Sequence, residues 1–83
     1  MNAIPFVTSA EYRGDFRIQL RFDDGLAKTV DFRPMLRGPI FEPLLDPALF
    51  RDFTIEGGTV AWPNGADIAP ETLHSAPGVE AAA

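Results

Sequence analysis

The residue types best able to do chemistry in this chain sit together in Trp62-Pro63-Asn64-Gly65-Ala66-Asp67. An indole is a frequent anchor at protein interfaces, and Asn64 and Asp67 can hydrogen-bond a partner's backbone. The same residues have a structural reading: Trp62 in the core, Asn64-Gly65 as a turn, and Asp67 capping free amides near a following helix. His74 is the only histidine. Glu71 precedes it on the same helical face, a spacing that a general base would use. One His and one Glu fall short of a metal site, which needs two further ligands. Asp23-Asp24-Gly25 resembles the start of a cation loop, but the later acids are missing, and a hairpin turn explains all three residues. Gly57-Gly58 and Gly65 match no phosphate-cradling pattern. Ser9 and Ser75 have no His-and-acid constellation around them. These readings leave no catalytic residue, no cofactor site and no metal site.

Charge narrows the classes of partner. The 83 residues carry 12 acids against 7 bases, a formal net charge of −5. That balance argues against general nucleic-acid binding and suits a basic partner protein. The local exception is Arg17 and Arg21, which share the wet face of one strand and form the candidate nucleic-acid face. Asp15, Asp23 and Asp31 partly neutralise it. There is no cysteine, so disulfides and thiolate metal sites are excluded. No secretory signal and no membrane-spanning apolar run is visible, which gives the expectation of a soluble, cytoplasmic protein.

The elements that must position these residues follow from periodicity and turn chemistry. Phe16, Ile18, Leu20 and Phe22 alternate with Arg17, Gln19 and Arg21, the pattern of a strand with one buried and one wet face. Asp23-Asp24-Gly25 then turns the chain into Leu26-Ala-Lys-Thr-Val-Asp31. A two-residue loop would set Ile18 against Asp31 and spoil the face. A three-residue loop with Gly25 left-handed pairs Ile18 with Val30, Phe16 with Phe32 and Arg17 with Asp31, and is the expected register. It leaves Leu20 opposite Lys28, an awkward pair unless the lysine lifts its ammonium away from the sheet.

Before this hairpin, Ile4 to about Ala10 reads as a first strand with Ile4, Phe6 and Thr8 on one side. Pro5 fits an edge or strand start, and Tyr12-Arg13-Gly14-Asp15 is expected to turn. After it, Arg33 to Pro39 reads as one short helical turn. Ile40-Phe41-Glu42-Pro43-Leu44-Leu45 is apolar but broken by Pro43. It is either the lid of a small core or a partner-binding ridge, and Phe41 is its candidate contact. Asp46-Pro47 starts a helix of at most about two turns, with Asp46 as N-cap. Phe53 to Trp62 is a second hairpin about Gly57-Gly58, pairing Ile55 with Val60 and Phe53 with Trp62 on one apolar face. Asp67-Ile68 adds a short bridge, and Pro70 to His74 a last helical turn. The expected fold class is α+β: a small antiparallel sheet of about five strands, built from two β-hairpins plus an N-terminal strand, with one to three short helices. Residues 1–76 form the single domain and 77–83 a frayed tail.

Several of these segments resemble a known family. Arg21-Phe22-Asp23-Asp24-Gly25, Val30-Asp31-Phe32, Gly38-Pro39-Ile40-Phe41-Glu42-Pro43-Leu44, Asp46-Pro47 with Phe50, and Val60-Ala61-Trp62-Pro63-Asn64-Gly65-Ala66-Asp67 with Leu73 are similar to the small bacterial family called domain of unknown function 2442. The likeness spans about residues 16–74, and the Trp-Pro-Asn-Gly-Ala-Asp segment is its most specific part. The resemblance implies an α+β fold and no established enzymatic activity. Some members are encoded beside another small protein, an arrangement like that of toxin–antitoxin pairs. Others carry a C-terminal helix-turn-helix; with the sequence ending at Ala83, the resemblance gives no expectation that this chain reads DNA by itself.

The functional expectation is a non-catalytic protein-interaction module, the antitoxin-like or accessory partner of a second small protein. Its candidate contacts are Phe41, Trp62, Asn64 and Asp67. The alternative is a nucleic-acid-associated regulator using Arg17 and Arg21. A homodimer closed through an exposed strand edge is a further possibility. An enzyme would require a cleft that gathers Trp62, Asn64, Asp67 and His74.

Overall fold

The computed structural model describes residues 5–79. In chain order they form β1 (Val7–Gly14), β2 (Arg17–Phe22), β3 (Ala27–Asp31), two 3₁₀ turns (Arg33–Met35 and Glu42–Leu45), α1 (Pro47–Phe50), β4 (Thr54–Glu56), β5 (Thr59–Ala61) and α2 (Pro70–Ser75). This is a small α+β fold. Its five antiparallel strands divide into two sheets, β1-β2-β3 and β4-β5. A hydrogen bond from the Val7 amide to the Gly58 carbonyl, at 2.7 Å, links them.

The central hairpin adopts the register that its alternation dictates. Arg17 faces Asp31, Ile18 faces Val30 and Leu20 faces Lys28. The Phe32 amide donates to the Phe16 carbonyl at 2.8 Å and the Phe22 amide to the Leu26 carbonyl at 2.8 Å, so the loop is the three residues 23–25. Gly25 takes the left-handed position at φ 92°. Asp24 Oδ1 accepts from the Leu26 amide at 2.9 Å and stiffens the turn. Arg17 and Asp31 are register partners but form no ion pair among the described residues. Asp31 instead accepts from the Arg33 amide at 3.0 Å, where the chain leaves the sheet.

The first strand differs from expectation. Ile4 lies outside the described residues, and the strand begins at Val7 and runs to Gly14, through the expected turn at Tyr12-Arg13-Gly14-Asp15. The buried side chain is Val7, whereas Phe6 and Thr8 are exposed. The register shifts between Val7 and Ser9 and again between Tyr12 and Gly14, and such irregularities break strict alternation. The actual turn is Asp15-Phe16, both left-handed at φ 52° and 62°. A phenylalanine there costs about 1–3 kcal/mol of backbone strain. Burial offsets it: Phe16 packs edge-on against Phe50 at 5.1 Å, and the Arg33 guanidinium lies 4.9 Å over its ring.

Phe50 is the hub of the core. The rings of Tyr12, Phe16, Phe32 and Trp62 surround it with centroids 5.1 to 5.8 Å away. Each such pair contributes about 0.5–1.5 kcal/mol beyond its buried area. Ile18, Leu20 and Val30 close the sheet side, and Val60, Ile68 and Leu73 the other. α1 is a single turn that exists to deliver Phe50. Asp46 caps it by accepting from the Ala48 amide at 3.0 Å, and Pro47 sits where no amide bond is needed. The Glu42–Leu45 segment, expected as a broken apolar stretch, forms a 3₁₀ turn because Pro43 falls at its first positions and pre-sets φ.

The second hairpin also keeps its register, with Ile55 opposite Val60 and Thr54 opposite Ala61. Gly57 and Gly58 both take positive φ, as a two-residue primed turn requires. The expected single buried face is only half realised. Val60 is buried, but Ile55 is 37% exposed, since β4 lies at the outer edge of a two-stranded sheet. β5 is instead covered on both sides: Thr59 is buried and donates its hydroxyl to the Ile68 carbonyl at 2.5 Å.

Candidate functional site

The candidate partner residues divide between core and surface. Trp62 is only 4% exposed, and its indole Nε1 donates to the Phe50 carbonyl at 2.7 Å. It packs against Phe53 as its position in the hairpin requires. Asn64 is exposed yet tied down. Its Nδ2 donates to the Ile40 carbonyl at 2.9 Å and its Oδ1 accepts from the Ala66 amide at 3.1 Å. Asn64 therefore fastens the Trp62 loop to the segment carrying Phe41, which is half-buried against the core. Asp67 does not cap α2: the N-cap is Ala69, without a side-chain bond. Asp67 is exposed and pairs through its backbone with Ala61, the bridge expected from the sequence.

Trp62 and Asn64, but not Phe41 or Asp67, line a shallow apolar cleft of about 140 Å³ together with Pro43, Leu44, Leu49, Asp52 and Pro63. Leu49 is 48% exposed at its wall. Leu45 (46%) follows Leu44 on the same 3₁₀ turn, and Ile40 (48%) lies in the preceding turn, its carbonyl held by Asn64. The sequence points to the apolar stretch from Ile40 to Leu45, with Phe41 as its candidate contact, but does not single out Leu45 or Leu49 as the exposed members; Phe41 is half-buried and does not line the cleft. A signal existed: Leu44 and Leu45 are neighbours on one short turn, and a turn that buries one leaves the other outside.

His74 sits elsewhere, and its carboxylate partner is not Glu71. Nε2 of His74 lies 2.8 Å from Oδ2 of Asp24 in the β2–β3 turn, and its ring stands edge-on to Phe22 at 4.9 Å. The Leu26 amide first, and His74 second, hold the Asp24 carboxyl below its usual pKa. Lys28 completes this corner. Its Nζ donates to the carbonyls of His74 at 2.5 Å and Ala76 at 2.6 Å, at the C-terminus of α2. That resolves the awkward Leu20–Lys28 pair, because the ammonium leaves the sheet to satisfy carbonyls a helix end leaves open. Burial lowers the Lys28 pKa from the ordinary lysine value. Beyond it, the Val79 amide donates to the Thr29 carbonyl at 2.7 Å, on the edge of β3. Of the tail expected over 77–83, residues 80–83 lie outside those described. Trp62 and His74 share no partner among these hydrogen bonds and ring pairs, and of Trp62, Asn64, Asp67 and His74 only the first two line the apolar cleft.

On the wet face of the first sheet, Arg17 and Arg21 point out from β2 beside Gln19. Arg13 donates to Gln19 Oε1 at 2.6 Å and pairs with Glu11 at 2.9 Å. Part of the positive charge beside the candidate nucleic-acid face is thereby neutralised. Among the described residues no cluster of three or more His, Cys, Asp or Glu is placed to hold a metal, and no helix is long and apolar enough to cross a membrane.

The family model described as protein of unknown function (DUF2442) matches residues 7–76. The chain belongs to that family. The match opens at the first residue of β1 and closes just after α2, so it takes in both sheets, the apolar cleft and the Asp24–His74–Lys28 corner of this DUF2442 chain. Neither a curated protein nor a solved structure matches it.

Proposed function

We propose that this DUF2442 chain is a non-catalytic protein-interaction module, the accessory or antitoxin-like partner of a second small protein. The observation that carries the reading is the cleft between the Glu42–Leu45 turn, α1 and the Trp62 loop, with Ile40, Leu45 and Leu49 exposed around it. Aliphatic side chains gain about 25 cal/mol for each Å² of apolar surface removed from water, which supports reading the exposed side chains at this cleft as a contact surface. The rest of the site favours binding over chemistry. Trp62 and Asn64 are engaged in holding the cleft's walls together, and the titratable corner at His74 is engaged in docking α2.

Affinity capture of the tagged protein from its native lysate at low and high salt, with bound protein and nucleic acid both identified, tests the reading. One small protein retained at both salts, and lost when Leu45 and Leu49 are changed to Ser, is the expected result. Nucleic acid retained at low salt only, and lost on Arg17→Ala with Arg21→Ala, would replace it with the regulator reading.

A further inference from the structure

Two observations about the cleft together specify what enters it. The first is that its walls offer no row of free backbone donors for strand addition: of the lining residues, only Asn64 has an amide hydrogen not bonded to another backbone group. Pro43, Pro47 and Pro63 have no amide hydrogen. The amides of Leu44, Asp46, Leu49 and Phe50 are bonded within their own turns, and those of Trp62 and Gly65 within the loop. An occupant must therefore bind through side chains, as an amphipathic helix does when it lays apolar residues at i, i+3, i+4 and i+7 into a groove. The 140 Å³ of the cleft accommodates about one or two aliphatic side chains, and the flanking Ile40, Leu45 and Leu49 offer a ridge for the next ones.

The second observation is charge. Between residues 38 and 67 the chain carries Glu42, Asp46, Asp52, Glu56 and Asp67 against one cation, Arg51. Between residues 5 and 37 the six cations slightly outnumber the five acids, so the acidity of the protein is concentrated on the part that builds the cleft. Asp52 lines it, Glu42 sits on the turn that supplies Pro43 and Leu44, and Asp46 caps the helix that supplies Leu49. Among the described residues Glu42 and Asp52 have no ion-pair partner.

We infer that the cleft receives a cationic amphipathic helix of the partner protein, with aliphatic side chains in the cleft and Lys or Arg over Glu42, Asp46 and Asp52. The inference rests on the interaction-module reading and adds the chemistry of the occupant.

Three synthetic peptides of about four helical turns test it against the isotope-labelled full-length chain by NMR titration. One carries Leu on one face and Lys on the other, the second replaces Lys by Glu, and the third replaces Leu by Ser. The Leu/Lys peptide is expected to shift the resonances of Leu45, Leu49 and the Trp62 indole, and to bind at least about tenfold more tightly than either control. Leu49→Ser is expected to weaken it by roughly tenfold, the loss of one buried aliphatic side chain. Asp52→Asn is expected to weaken it a few-fold at low salt and less at high salt. Equal binding of the Leu/Lys and Leu/Glu peptides would overturn the cationic occupant and leave the module reading standing. Equal binding of the Leu/Lys and Lys/Ser peptides, or binding indifferent to Leu49→Ser, would overturn the cleft as the helix site. If no peptide moves the cleft resonances the inference also fails, and the lysate capture with the Leu45 and Leu49 variants decides the module reading independently.

Discussion

The indole nitrogen of Trp62 donates to the carbonyl of Phe50 at 2.7 Å. Phe50 is the last residue of α1, and its carbonyl would otherwise be an open acceptor in the core. The most distinctive residue of the chain thus ties the second hairpin to the helix that delivers the hub of the core. On the proposed reading partner contact falls instead to the exposed Leu45, Leu49 and Ile40, while Trp62 serves as a wall of the cleft.

Trp62→Phe keeps most of the aromatic volume and removes the N–H. The Phe50 carbonyl is then buried without a partner, and the expected loss of stability is about 1–3 kcal/mol. Chemical denaturation measures it. A variant as stable as the parent would mean that the bond contributes nothing net.

The Asp24 carboxyl has a folded-state pKa below the ordinary 3.8, because the Leu26 amide and His74 both favour its charged form. A depressed carboxyl pKa stabilises the fold above the unfolded value, and that contribution disappears as pH falls through the folded value. Asp24→Asn is therefore expected to lower the melting temperature near neutral pH, with the gap to the parent closing below about pH 3.8. Melting curves of both proteins across that range check it; a gap that persists unchanged in acid would contradict the assignment.

Lys28→Met keeps the methylenes against the sheet and removes the ammonium from the His74 and Ala76 carbonyls. Hydrogen bonds to charged groups are worth about 1.5–3 kcal/mol. Faster amide hydrogen exchange is expected in α2, with the hairpin of β4 and β5 little changed. Uniform loss of protection across the chain would show that Lys28 acts on the whole core and not as a local cap.

Gly57 and Gly58 both have positive φ, but they are not equivalent. A Cβ on Gly57 meets open space, whereas one on Gly58 would stand 2.4 Å from Phe6 Cδ1. Alanine at either position is expected to cost about 1 kcal/mol in backbone strain, and at Gly58 to displace the Phe6 ring as well. Phe6→Ala should therefore narrow the penalty of Gly58→Ala and leave that of Gly57→Ala untouched. A double-mutant cycle by denaturation reads the coupling, and its absence would refute the contact.

Both hairpin registers were legible in the sequence because strict alternation and the Asp-Asp-Gly and Gly-Gly turns constrain each other. A slip of one residue would have buried Asp31 or exposed Val60. The structural side of the Trp62-Pro63-Asn64-Gly65 loop was legible for the same reason. β1 was not, because two irregularities break its alternation and its exit turn puts Phe16, a bulky residue that seldom takes positive φ, in the left-handed region beside Asp15. The partner of His74 was not, because local spacing offers Glu71 while the fold brings Asp24 from fifty residues away. The cleft's exposed leucines were not singled out, because periodicity cannot say which side of a single 3₁₀ turn faces the core.

The most direct test of the central claim compares capture of the partner by the parent, by Leu45→Ser with Leu49→Ser, and by Leu26→Ser. Leu26 is an exposed leucine on the β2–β3 turn, away from the cleft. All three proteins should melt cooperatively at similar temperatures. The Leu45 and Leu49 variant is expected to lose the partner while Leu26→Ser retains it. Equal retention by both would contradict the cleft as the surface through which this protein acts.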